Sequence, residues 1–166
     1  MRPRSEELPH RLILTALESG LNVRVKISGL SMAPTLLPGE WVTVRPLAHD
    51  ESPAVGSIAY VAKDASATDK PRFIVHRVVG RDGNDVVTHG DSNLHPDQNA
   101  PRANVVGIVT TRHSRACDLS LGDGLWSRWM TGPASGTAHR LNNILARAAR
   151  RLLRLRATRP KRPADT

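Results

Sequence analysis

The sequence predicts a mainly β fold, in which a folded sheet is flanked by a short N-terminal helix and a C-terminal amphipathic helix. Short runs rich in valine and isoleucine alternate with clusters of Gly, Pro, Asp and Asn, a pattern typical of strands joined by turns. Val23, Val25 and Ile27 alternate with polar residues, as expected for a half-buried strand. Asp82-Gly83 is predicted to form the centre of a hairpin turn. A chain of 166 residues is long enough for one domain with a buried core plus extensions.

The N-terminal helix is predicted to begin near Ser5, because acidic residues and Pro9 follow it, and to end at Gly20. Strands are predicted near residues 23–27, 40–46, 56–63, 72–80, 84–89 and 104–111. Residues 64–71 and 91–103 are polar and are predicted to form loops, and the second is long enough to suggest a functional role.

The composition divides the chain into four predicted segments. These are an N-terminal helix over 1–20, a β domain over 21–115, a helical extension over 116–156 and a disordered basic tail over 157–166. Within the extension, residues 118–124 have the composition of a turn.

The whole net charge of +9 lies in the C-terminal residues 128–166. Residues 128–166 hold ten basic side chains and one acidic side chain, whereas the preceding 127 residues hold fourteen of each. The basic character therefore describes the tail and not the β domain. A single cysteine, Cys117, excludes an intrachain disulfide and is compatible with a reducing compartment.

The clearest helical periodicity covers residues 139–156, where a Leu/Ile face lies opposite an Arg face. Such a helix suits the surface of an anionic membrane, and the predicted contact residues are Trp126, Trp129, Arg147, Arg150, Arg151 and Arg154. Packing of this helix on the domain or on a partner protein is the alternative. Nucleic acid is disfavoured, because aromatic residues do not interleave with the arginines.

No segment reaches the about 20 apolar residues of a membrane-spanning helix. The N-terminal apolar stretch around 12–17 is too short and broken for a signal peptide. The sequence therefore predicts a cytoplasmic or peripheral membrane protein.

The most informative motif is Gly29-x-Ser31-Met32-x-Pro34. Gly29 permits close backbone approach and unusual backbone angles, and Pro34 stiffens the turn. The motif therefore predicts an exposed corner that carries one hydroxyl beside backbone N–H groups, which is the arrangement required by a serine nucleophile. An ordinary Ser/Gly/Pro turn is the alternative.

The chain resembles the type I signal peptidases and the related self-cleaving repressors in several boxes that occur in the same order. These boxes are residues 29–36 for the nucleophile, 38–44 and 55–61 for two strands, 73–80 for the general base, and 87–93 for a Gly-Asp-Ser-Asn segment. The resemblance covers residues 23–110. It implies a signal-peptidase-like catalytic fold with Ser31 as nucleophile and with Gly29, Ser31 and Met32 at the oxyanion and substrate site.

The residue at the general-base position is His76, where bacterial signal peptidases usually carry lysine. This resembles the endoplasmic-reticulum and archaeal type, in which Ser, His and Asp act together. A histidine titrates near neutrality and needs only orientation by a carboxylate. Asp91 is the first candidate for that role and Asp97 is the second. The alternative for His76 is a satisfied histidine in a β-rich core.

The other six histidines lack motif support, and His89 is the most plausible rival because strand alternation places it on the same side as Asp91. The remaining five are His10, His49, His95, His113 and His139. A zinc site from His89, Asp91, His95 and Asp97 is disfavoured, because their spacing is not that of known ligand sets. No cofactor and no metal are predicted.

The resemblance implies a serine endopeptidase that cleaves a peptide or precursor protein after small residues. Two alternatives remain at this stage. One is a non-catalytic module of the same fold that binds peptides or a membrane. The other is a self-cleaving repressor-like regulator, which would need a DNA-binding domain, whereas thirty residues with one predicted helix precede Ser31.

Overall fold

The computed structural model describes residues 10–63, 72–114 and 117–121, together with Leu141 and Ile144. The helix α1 is His10–Glu18, and residues before it lie outside the described part. The strands are β1 (Val23–Lys26), β2 (Trp41–Pro46), β3 (Ile58–Lys63), β4 (Arg72–Asp82), β5 (Asp85–His89), β6 (Ala100–Pro101), β7 (Val105–His113) and β8 (Asp118–Ser120). A 3-10 helix, Arg102–Asn104, separates β6 from β7.

All eight strands belong to one sheet whose paired neighbours run antiparallel. The order is β1-β2-β7-β3-β4-β5-β6, and β8 pairs with the end of β7. The prediction of a mainly β fold is therefore confirmed. The six predicted strands are present, and their bounds differ from the prediction by at most two residues.

The sheet buries apolar side chains on both sides, because it separates two hydrophobic clusters. The first cluster contains Ile13 and Leu17 of α1 together with Ile27, Met32, Leu36, Val42, Val44, Ile58, Tyr60 and Val109. The second cluster contains Ala59, Val61, Val78, Val86, Val105 and Ile108. Successive residues of a strand point to opposite sides, so Ile58 and Tyr60 enter the first cluster while Ala59 and Val61 enter the second.

Three local features differ from the sequence prediction. Residues 118–124 were expected to form a turn, but Asp118–Ser120 form β8, because their backbone pairs with residues 111–113 of β7. The two central residues of the β4–β5 hairpin are Gly83 and Asn84, one position later than predicted. Gly83 has φ +58°, as required at the first central position of a type II′ turn. The predicted loop over 91–103 contains β6 and the start of the 3-10 helix.

The predicted C-terminal helix lies almost wholly outside the described residues. Of its positions, only Leu141 and Ile144 are described, and both are helical and exposed. In the part of the chain that the structure describes, no helix is both long and apolar enough to span a membrane.

Candidate active site

Ser31 lies in a turn over residues 30–36 between β1 and β2. The turn is closed by a hydrogen bond from Leu36 N to Met32 O at 2.9 Å. The side chains of Met32 and Leu36 are buried in the first cluster and fix the turn to the core. Ser31 is half-buried beside them, so the sequence produces a hydroxyl on a rigid corner.

The segment after β5 holds the backbone of this turn from the other side. Ser92 donates its N–H to Ser31 O at 2.8 Å and its hydroxyl to Leu30 O at 2.6 Å. Gly90 makes this approach possible, because a Cβ there would lie 2.8 Å from Ser31 O and 2.7 Å from Asn93 Nδ2. The Gly-Asp-Ser-Asn segment therefore positions Ser31 through contacts to the backbone of the turn.

His76 is on β4 and pairs with Ala59 of β3. Its side chain is buried, and its Nε2 lies 2.9 Å from Ser31 Oγ. Its Nδ1 is hydrogen-bonded to Asp97 Oδ2. A carboxylate at Nδ1 favours the tautomer with the proton on that nitrogen, so Nε2 is left to accept the proton of Ser31.

Asp97 is fixed by Thr88 of β5. The Thr88 hydroxyl donates to Asp97 Oδ2 at 2.8 Å, and Asp97 N donates to Thr88 O at 2.8 Å. Burial by itself raises the pKa of Asp97, but the hydrogen bond and charge of His76, the hydrogen bond from Thr88 and the charge of Lys63 outweigh it. The net result is a lowered pKa, which favours the ionised carboxylate that a protonated imidazole needs.

Asp91, the first candidate for orienting His76, has a different set of partners, and this expectation is corrected. Its Oδ1 accepts a hydrogen bond from Arg77 Nε at 2.8 Å and its Oδ2 accepts one from Arg77 Nη2 at 2.7 Å. Thr35 Oγ1 also donates to Asp91 Oδ2. Asp91 and Arg77 are 0% and 3% exposed, so they form a buried bidentate ion pair.

Strand alternation explains why Asp97, and not Asp91, contacts His76. His76 and Arg77 are neighbours on β4 and therefore point to opposite sides of it. His76 pairs with Ala59 of the second cluster, whereas Arg77 pairs with Ile58 of the first. The Arg77–Asp91 pair is therefore on the opposite side of β4 from the imidazole.

The ion pair connects three segments of the chain. Thr35 belongs to the turn that carries Ser31, and Asp91 belongs to the segment after β5. The third segment precedes β3, where Gly56 O accepts a hydrogen bond from Arg77 Nη1 at 2.8 Å. Sequence reasoning missed Arg77 and Thr35 as supports of the site. The available signal was an arginine in a valine-rich strand, because a buried arginine needs a buried carboxylate.

Two predicted oxyanion or substrate residues take different roles from those expected. Gly29 is exposed and is not among the glycines with positive φ, so the expected unusual backbone angle is wrong. A Cβ at Gly29 would meet Ser31 Oγ only at 3.9 Å, so space does not require glycine either. The Met32 side chain is part of the core, which leaves its backbone for any substrate contact.

His89, the rival base, is buried on the side of β4 and β5 that carries Arg77, its cross-strand partner. Its Nε2 lies 3.3 Å from Asn93 O.

Among the described residues there is no group of three or more His, Cys, Asp or Glu side chains arranged to hold a metal. The predicted membrane or partner contacts lie outside the described residues; these are Trp126, Trp129, Arg147, Arg150, Arg151 and Arg154.

Comparisons of the chain with protein-family models, curated proteins and solved structures gave no match. The site is therefore interpreted from its own geometry. A hydroxyl, an imidazole and a carboxylate form one hydrogen-bonded chain, which is the arrangement that activates a serine for attack on a carbonyl.

Proposed function

We propose that this protein is a serine endopeptidase of the signal-peptidase type, with Ser31, His76 and Asp97 as its catalytic residues. The observation that carries this proposal is the continuous chain from Ser31 Oγ through both ring nitrogens of His76 to Asp97. These residues are far apart in sequence and come from three different segments. A hydrogen bond from a turn serine to a buried, carboxylate-bound histidine fits nucleophilic catalysis well.

The reaction is acyl transfer to Ser31 followed by hydrolysis. Ser31 Oγ attacks the scissile carbonyl while His76 Nε2 takes the hydroxyl proton. The Asp97 carboxylate stabilises the imidazolium that forms, and His76 then gives the proton to the leaving amine. A water molecule, deprotonated by the same nitrogen, attacks the acyl-enzyme and releases the second product.

The developing oxyanion needs hydrogen-bond donors, and the Ser31 N–H is the first candidate. Within the described residues, this N–H makes no backbone hydrogen bond. Gly29 has no side chain to supply a second donor, and the Thr35 hydroxyl of this turn already donates to Asp91, so we expect a further donor from the backbone. Preorganised backbone donors of this kind each contribute about 3–4 kcal/mol of transition-state stabilisation.

The resemblance of the ordered boxes extends this proposal to the substrate and the fold. Signal peptidases cleave after small residues, and we assign the same preference to this protein. A peptide or precursor protein is then the substrate, and the folded sheet is a signal-peptidase-like catalytic domain. We also retain the anionic membrane surface as a partner of residues 139–156.

The test is cleavage of a peptide with small residues before the scissile bond, together with labelling by a serine-directed probe. Ser31→Ala should abolish both reactions, because the nucleophile is lost. His76→Ala should reduce both nearly as strongly, because the hydroxyl loses its base. His49→Gln is the matched control, since His49 is exposed in the loop after β2 and should leave both reactions unchanged.

Full activity in the His76→Ala protein would exclude His76 as the base. An absence of Ser31-dependent labelling would favour the non-catalytic module of the same fold. Intact mass after long incubation at alkaline pH separates a self-cleaving regulator, which loses a fragment, from an enzyme that acts only on other chains.

A further inference from the structure

A second chain of hydroxyl, imidazole and carboxylate connects β2, β7 and β8. Thr43 Oγ1 lies 2.8 Å from His113 Nε2, and His113 Nδ1 lies 2.8 Å from Asp118 Oδ2. The three residues come from three neighbouring strands and share no residue with the Ser31 site. The two chains of hydrogen-bonded groups have the same order, because in both the carboxylate binds Nδ1 of the histidine and the hydroxyl binds Nε2.

This arrangement determines which atom of His113 accepts a proton. The Asp118 carboxylate accepts from Nδ1 and so favours the proton on that nitrogen. Nε2 then carries its lone pair toward Thr43 and accepts the hydroxyl proton. A hydroxyl bound to a base that a third group orients is the general signature of an activated nucleophile.

The residues around Thr43 are partly exposed to solvent. Trp41 pairs with His113 across β2 and β7 and is 43% exposed. Thr43 is two residues from Trp41 on the same strand, so both side chains are on one side of the sheet. His113 itself keeps 18% of its side chain exposed, and Thr43 is half-buried. An exposed aromatic ring and the half-buried Thr43 thus lie on the same side of the sheet.

We propose that Thr43 is a second acyl-acceptor site, which takes an acyl group from an activated ester. Thr43 Oγ1 forms a bond to the acyl carbon, and the bond from that carbon to the leaving oxygen breaks. The Thr43 proton passes to His113 Nε2 and then to the leaving alkoxide or phenoxide. The product is an ester on Thr43, and no oxidant or further reactant is needed.

The expected activation is modest, because the Asp118 side chain is 65% exposed and a solvated carboxylate orients its partner weakly. General-base assistance contributes about 10²–10⁴-fold in enzyme sites. For Thr43 we expect acylation about tenfold faster than for a threonine without a base, which is about one order of magnitude below the lower end of that range. The contact between His113 and Asp118 also links β7 to β8, and the contact between Thr43 and His113 links β2 to β7. The experiment must therefore separate reactivity from folding.

The experiment uses the full chain with Ser31→Ala, so that its outcome is independent of the proposed peptidase site. The protein is incubated with p-nitrophenyl acetate, and acetylated positions are mapped by peptide mass spectrometry. Hydroxylamine distinguishes an ester on a hydroxyl, which it cleaves, from an amide on a lysine. Thr111 is the internal control, since it is the half-buried cross-strand partner of Thr43 and no described imidazole binds its hydroxyl.

The proposal predicts a hydroxylamine-sensitive acetyl group on Thr43, formed about tenfold faster than on Thr111. His113→Gln should reduce the rate at Thr43 to that at Thr111, and Thr43→Val should remove the label. Far-UV circular dichroism of the His113→Gln protein verifies that it remains folded. Equal acetylation of the two threonines, no acetyl group on Thr43, or an unchanged rate at Thr43 in the folded His113→Gln protein would each overturn the proposal.

Discussion

Removing the charge of Asp91 should destabilise the protein far more than removing the charge of a surface carboxylate. Asp91 is 0% exposed and receives both hydrogen bonds of the Arg77 fork, at 2.8 and 2.7 Å. Asp91→Asn leaves the Arg77 guanidinium, which is 3% exposed, without a counter-charge. Breaking a buried pair in this way costs about 3–5 kcal/mol, a large part of the total stability of about 5–15 kcal/mol.

The matched control is Glu51→Gln. Glu51 forms an ion pair with Arg45 in which the two side chains are 34% and 38% exposed, so solvent screens their attraction. Exposed ion pairs of this kind contribute about 0–1 kcal/mol to the free energy of unfolding. Equilibrium unfolding in urea measures both variants, and a loss of 3 kcal/mol lowers the midpoint by roughly 1–3 M.

A midpoint for Asp91→Asn no lower than that for Glu51→Gln would refute the reasoning. A second variant tests its cause. Replacing both partners, with Arg77→Met and Asp91→Leu together, removes the pair without leaving a buried charge. This double variant should therefore be more stable than Asp91→Asn alone. If it is less stable, the unpaired charge of Arg77 is not the cause of the destabilisation.

Four further predictions concern the site and the tail. Asp97→Asn should lower kcat/KM by about 10⁴-fold, because an amide favours the wrong tautomer of His76, while the urea midpoint falls less than for Asp91→Asn. Folding lowers the pKa of Asp97 below its ordinary value of 3.8. The ionised carboxylate therefore stabilises the folded protein above that pH, and this stabilisation is lost as the pH falls through the folded pKa. The difference in unfolding free energy between the unaltered protein and Asp97→Asn should therefore shrink in acid. Gly90→Ala should lower the free energy of unfolding by about 1–3 kcal/mol and remove most of the proposed peptidase activity, because the added Cβ would crowd Ser31 O. Gly80→Ala should have neither effect, because a Cβ there meets nothing within 4 Å, and equal effects of the two variants would contradict this explanation. Removing residues 137–166 should abolish co-sedimentation of the protein with anionic vesicles. Binding of the full chain that is absent, or equal for anionic and neutral vesicles, would exclude an anionic membrane as its partner.

Local patterns were sufficient for six of the eight described strands, because alternation of apolar and polar residues acts within a few positions. The runs around Val23, Trp41 and Ile58 form strands close to where the sequence predicts them. The same patterns could not predict β8, because its three exposed residues are held by pairing with β7 and not by their own apolar character. The Gly83-Asn84 turn differs by one position, since the pairing of Asp82 with Asp85 determines which residues are central.

The sequence by itself determined the kinds of residues available to the site: a serine on a stiff turn, a histidine in a valine-rich strand, and two carboxylates after β5. Which carboxylate meets the histidine was decided only by the tertiary structure. Thr88 places Asp97 at His76 Nδ1, whereas Arg77, on the opposite side of β4, binds Asp91 in the interior. The physical reason is that adjacent residues of a strand point to opposite sides of the sheet. The residues that they contact on each side come from distant parts of the chain.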